Sequence, residues 1–169
     1  MSHYENILAS YDAIHRSPLN RATHAIGIPL IVTSVIAVTS YVRLPGQGAW
    51  EHANLATALA VLTVAIVLYW SRLAGLAYLI LIAACYAVAH SVTTHFSGLT
   101  AAGIIAAGFV LGWVFQFIGH GFEGESPQFV KRPENLLLGP VMIMAEVFPA
   151  IRPRNLSATV ATSAAENKQ

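Results

Sequence analysis

Four stretches of the chain are apolar almost without interruption: residues 25–42, 55–70, 73–89 and 99–118. Each approaches the roughly 20 residues that a helix needs to cross about 30 Å of hydrocarbon. The breaks between them are of kinds that end helices: a charged Pro/Gly loop from Arg43 to Glu51, a tight turn at Ser71-Arg72, and a polar Ser/Thr/His connection over 90–98. The pattern predicts an all-α fold, an integral membrane bundle of four transmembrane helices with short interfacial helices at both ends.

The flanks complete this picture. Residues 4–15 read as a short surface helix, and Ser17-Pro18 supplies an N-cap and a first-turn proline for the helix that becomes the first span. Pro29 is expected to kink that span. A fifth apolar segment, 136–151, contains Gly139, Pro140, Glu146 and Pro149, which makes it short and costly to bury alone in lipid, so it is expected to pack at the interface. Gly108 and Gly112 form a small-xxx-small pair that invites a close helix neighbour. The first 20 residues lack the apolar run and cleavage site of a secretory signal. Residues 1–154 are read as a single membrane-embedded helical domain, and the Ser/Ala/Thr-rich 155–169 as a disordered tail.

Composition narrows the function. Of 169 residues, 56% are hydrophobic and 10% charged, against about 25% charged in a soluble domain, and the mean hydropathy is +0.60. A net charge of +1 with no polybasic tract argues against nucleic acid as a partner. With four spans, eight of the nine basic residues fall on one side, Arg43 being the exception. The positive-inside rule then places both termini in the cytoplasm, in a bacterial inner membrane or the endoplasmic reticulum. Cys85 stands alone in an apolar run, as a small core residue, and no intrachain disulfide can form. No Gly-rich phosphate loop, Gly-x-Ser-x-Gly elbow or cysteine metal pair is present, which leaves hydrolase and nucleotide-binding readings without residues.

Seven histidines in so apolar a chain call for an account, because ionisable groups in or near a membrane usually face the bundle and serve a function. Depth sorts them. His15, His24 and His120 fall at the cytoplasmic end and His52, His90 and His95 at the other, with His3 in the terminus. On the fourth helix Trp113, Gln116, His120 and Glu123 are three, four and three residues apart and share a face. Asn20 lies one turn before His24. The ends of the first and fourth helices can therefore bring His24, His120 and Glu123 together, with His15 and Glu146 arriving from flanking segments, and Gln116 placed to orient an imidazole. Imidazoles plus a carboxylate suit Fe(II) or Zn(II), and two histidines with one carboxylate and open positions are the pattern of non-haem iron oxygenases. The same residues also fit helix caps at an interface, with Glu123 and Glu146 in surface ion pairs. Histidines at both ends would equally serve a haem b cytochrome, and a scaffold or transporter would need no metal.

Two blocks of residues carry a resemblance. Tyr11-x-x-x-His15-x-x-Pro18-x-Asn20-x-x-x-His24-x-x-x-x-Pro29 is one; Trp113-Val-Phe-Gln116-Phe-Ile-Gly119-His120-Gly-Phe-Glu123-x-x-x-Pro127, with Asn135-Leu-Leu-Leu-Gly-Pro140 and Glu146 beyond it, is the other. Together they resemble the 2-hydroxy fatty acid dioxygenase family, over most of the chain, while the intervening helices match only in hydropathy. The resemblance implies a small membrane enzyme that uses Fe(2+) and O2 to shorten 2-hydroxy long-chain fatty acids by one carbon. It implies iron ligation by His24 and His120, with His15 beside them and Glu123 and Glu146 as ligand or support. His24, His120 and Glu123 would be the catalytic set, Asn20 and Gln116 would orient the ligands, and Tyr11 and Trp113 would contact the substrate. Membrane lipid would surround the bundle.

Overall fold

A computed structural model of the chain describes residues 4, 5, 8, 15, 17–46, 53–124 and 135–152, the side chains of Glu123 and Asn135 excepted. Tyr11, His3, His52, most of the expected N-terminal surface helix and the tail over 155–169 lie outside the described residues.

The described chain is all-helical: α1 (Pro18–Ser40), α2 (Leu55–Trp70), α3 (Arg72–His95), α4 (Gly98–Glu123) and α5 (Asn135–Val147), followed by one 3-10 turn, Pro149–Ile151. Pro18 occupies the first helical position of α1, where its missing N–H costs nothing, and Ser17 is the extended N-cap residue. Ser71 is both the end of α2 and the cap of α3: its N–H bonds back to the Val67 carbonyl, and its hydroxyl accepts from the Ala74 N–H at 3.4 Å. Asn54 caps α2 in the same way through Thr57 N–H at 2.9 Å. α4 stops at Gly124, whose φ of 69° is left-handed and whose N–H returns to the His120 carbonyl at 3.1 Å.

One expectation changes. The polar run over 90–95 is not a connection but the last turns of α3, because its hydroxyls turn back on the helix: Thr94 Oγ1 donates to the His90 carbonyl at 2.8 Å and Thr93 Oγ1 to the same carbonyl at 3.1 Å. The turn to α4 is reduced to Phe96-Ser97. α1, α3 and α4 are long and apolar enough to cross a membrane, whereas α2 and α5 are shorter. The 16 residues of α2 rise about 24 Å, less than a hydrocarbon core of about 30 Å.

α1 is the centre of the bundle, touching α2, α3, α4 and α5, and its pairing with α4 is the most extensive. Gly108 and Gly112 lie in that pairing, as their spacing predicts. A Cβ on Gly112 would stand 2.6 Å from Ile31 Cγ1 and 2.8 Å from the Gly27 carbonyl oxygen, so the two backbones touch where both helices carry glycine. α5 packs against α3 and α1, burying Leu138, Val141 and Met142 beside Tyr4, Leu8, Val67, Tyr78 and Ile82. The outer faces remain apolar: Val61, Leu62, Leu99, Val110 and Phe117 are exposed, as residues facing lipid are.

Candidate metal centre

The site follows from the close approach of α1 and α4. Gly119 lies against α1, where a Cβ would stand 2.5 Å from Asn20 Oδ1 and 2.9 Å from His24 Nδ1 and would also meet Thr23 Oγ1. Lacking one, the last turns of α4 press onto the first turns of α1, and the next residue, His120, reaches His24. His15, just before α1, folds back onto both.

The three imidazoles form a mutual edge-to-face cluster. Ring centroids are 5.0 Å apart for His15 and His24, 5.3 Å for His15 and His120, and 4.9 Å for His24 and His120. One nitrogen from each lies within 4.8 Å of the others. All three are buried, at 3%, 5% and 7% exposure. His24 Nδ1 is 2.9 Å from the Asn20 main-chain carbonyl. A carbonyl can only accept, so Nδ1 carries the proton and Nε2 keeps its lone pair. Three buried imidazoles would repel if charged; as neutral donors converging on one point they fit a transition metal with coordination positions to spare.

The other expected residues fall at different places. Glu146 is outside this cluster: it is 42% exposed, paired with Arg21 Nη1 at 3.2 Å and with Arg152 Nη2. It does line the same small cavity, of about 80 Å³, as His15, Arg21, His24, Ala25 and Met142. The side chain of Glu123 and all of Tyr11 lie outside what is described. Asn20, fully buried, holds His24 through its main-chain carbonyl. Gln116 is buried one turn deeper than His120, but its Nε2 makes no hydrogen bond among the described residues and lies against Gly27. Trp113 is half-buried and packs its ring along α4 on Phe109 and Phe117.

His90 and His95 are exposed at the far end of α3, and His95 Nδ1 donates to the Ser91 carbonyl at 2.9 Å. Neither joins a metal-ligand group among the described residues. Two residues beside the cluster carry no sign of that place in the sequence. Arg21 counts there only toward the charge asymmetry, although it lies three residues before His24 on one helix face. Gly119 was legible only as a letter in the second motif block.

The family model described as Mpo1-like, 2-hydroxy-palmitic acid dioxygenase, matches residues 1–151. The chain is similar to the 2-hydroxy-palmitic acid dioxygenase MPO1 of Saccharomyces cerevisiae, with 31% identity over 144 residues, 82% of this chain and 76% of that protein. No solved structure matches.

Proposed function

Since the chain belongs to the Mpo1-like 2-hydroxy-palmitic acid dioxygenase family, as its two motif blocks lead one to expect, we propose that it cleaves 2-hydroxy long-chain fatty acids between C1 and C2 with Fe(II) and O2. The product is the acid one carbon shorter. The observation that carries the reading is the convergence of His15, His24 and His120 in a buried cluster beside a cavity walled by Ala25, Met142, Ile143 and Val147.

In this reading the three imidazoles hold the metal and Glu123 completes or supports the set. Fe(II) bound there supplies the one-electron chemistry by which O2 can react with a closed-shell acid. Converting a 2-hydroxy acid and O2 into the shorter acid, carbon dioxide and water balances in atoms. The substrate supplies all the electrons that O2 accepts, so no 2-oxoglutarate is needed. The Asn20 carbonyl fixes the His24 ring, Gln116 fills the layer beneath His120, and the apolar wall keeps water from the reacting carbons while packing the alkyl chain. Tyr11 and Trp113 contact the substrate. We further propose that α2 is the fourth crossing and that both termini face the cytoplasm, which lets a charged head group reach the metal from water.

The test is anaerobic Fe(II) loading of detergent-purified protein, followed by O2 and 2-hydroxypalmitate, with mass spectrometry of the fatty acids. Wild type should give the acid one carbon shorter and His120→Ala none. A folded, iron-loaded wild type without product would sink the reading.

A further inference from the structure

Arg21 stands at the rim of the histidine cavity with its guanidinium fixed by two contacts. Nε donates to the His15 main-chain carbonyl at 2.9 Å, and Nη1 pairs with Glu146 at 3.2 Å. Glu146 is shared, because Arg152 Nη2 binds the same carboxylate oxygen. Two permanent cations thus share one carboxylate oxygen beside the cavity. Only Arg21 of the two arginines lines that cavity; its other walls are His15 and His24 on one side and Ala25, Met142, Ile143 and Val147 on the other.

We infer that Arg21 is the residue that recognises the substrate's carboxylate. This rests on the dioxygenase reading of the same site. Arg21 Nη2 has no hydrogen-bond or ion-pair partner among the described residues. A guanidinium presents five N–H donors in a rigid fork suited to a carboxylate. A ligand that is anionic at one end and alkyl at the other has one good orientation here. Its carboxylate lies on Arg21 beside the imidazoles, and its chain runs along the apolar wall of α1 and α5. Glu146 gives way without becoming unpaired, since Arg152 retains it. The arrangement selects acids over alcohols of the same length.

The alternative role for Arg21 is structural, pinning His15 through its carbonyl, and the test separates the two. Metal-free protein in one detergent is titrated calorimetrically with 2-hydroxypalmitate and with the uncharged 1,2-hexadecanediol, and the ratio of the two affinities is compared between variants. Arg21→Gln should lower the preference for the acid about tenfold or more, in line with the loss of a charge-assisted hydrogen bond. In the iron-loaded enzyme it should raise KM more than it lowers kcat. Glu146→Gln should do the opposite, strengthening the preference severalfold by leaving Arg21 without a competing carboxylate, and this arm stands even if Arg21→Gln does not fold. An unchanged acid-to-diol ratio in a metal-competent Arg21→Gln, or in Glu146→Gln, overturns the assignment. So does equal weakening of acid and diol together with loss of metal. Arg21-dependent acid binding without turnover by iron-loaded wild type would leave the carboxylate site standing and remove the dioxygenase reading. Turnover with an Arg21-independent ratio would do the reverse.

Discussion

Gly119 touches Asn20: a Cβ on this glycine would stand 2.5 Å from Asn20 Oδ1 and 2.9 Å from the Nδ1 of His24. The contact sets the distance between the two helices that carry the buried histidines, so the geometry of the cluster depends on an atom that is missing from α4. Gly119→Ala should force α4 outward, lower metal affinity by at least tenfold and cost about 1–3 kcal/mol of stability, the usual penalty for overpacking. Gly121→Ala is the control, because nothing lies within 4 Å of its Cβ position. Its metal content, by elemental analysis, should match wild type, and its thermal midpoint should hold or rise slightly.

Removing any one imidazole should cost the metal rather than the fold. His15→Ala, His24→Ala and His120→Ala should each retain helix content by circular dichroism and lose at least tenfold in affinity for Co(II), whose visible bands report the nitrogen donors directly. His90→Ala and His95→Ala, at the exposed end of α3, should bind like wild type. Equal binding by His120→Ala would show that the cluster is only packed histidine.

The two acidic residues singled out in the sequence should now behave differently. Glu146 is engaged by Arg21 and Arg152 and lies outside the imidazole cluster, so Glu146→Gln should leave metal affinity within about twofold. Its ion pairs are partly exposed and worth little to stability, so the melting temperature should move by no more than a degree or two. Glu123→Gln should weaken metal binding at least tenfold if its carboxylate completes or supports the ligand set.

The histidines were legible in the sequence because charge and imidazole are rare in an apolar chain, and helical spacing placed His24 and His120 at one end of the bundle. His15 was legible mainly through the motif block, since nothing in its spacing says that the segment before Pro18 folds back. The four-residue spacing of Gly108 and Gly112 signals a close helix neighbour, though not that the neighbour is α1. It could not show that Gly119 continues that contact down to the site, because the face is interrupted by Gln116. The end of α3 reads as a connection for a physical reason: Ser, Thr and His usually mark one, yet here Thr93 and Thr94 satisfy their hydroxyls on the carbonyl of His90 and the helix continues. Arg21 was visible only as a charge, because its contacts with the His15 carbonyl and with Glu146 join residues 6 and 125 positions away, which no local pattern encodes.

The beginning of the chain is held at Tyr4. Tyr4 is buried and its hydroxyl donates to the Ile151 carbonyl at 3.1 Å, tying the chain's start to the turn after α5. Loss of hydration pushes its pKa up from 10.0 to about 12, with the nearby Arg152 guanidinium pulling the other way. The folded protein thus keeps this proton in a range where the unfolded chain has released it. The contribution of the neutral phenol is complete below about pH 10 and is lost as pH rises through about 12. Tyr4→Phe keeps the buried ring but removes both the hydrogen bond and the titration. It should cost about 1 kcal/mol at neutral pH, and the difference in stability from wild type should shrink and then change sign between pH 10 and 12, since a shift of about two units is worth more than that. Denaturant melts of the two proteins at matched pH supply the comparison, in which other groups titrating in that range cancel. A difference that stays constant across the range would mean that Tyr4 is not held as the structure describes.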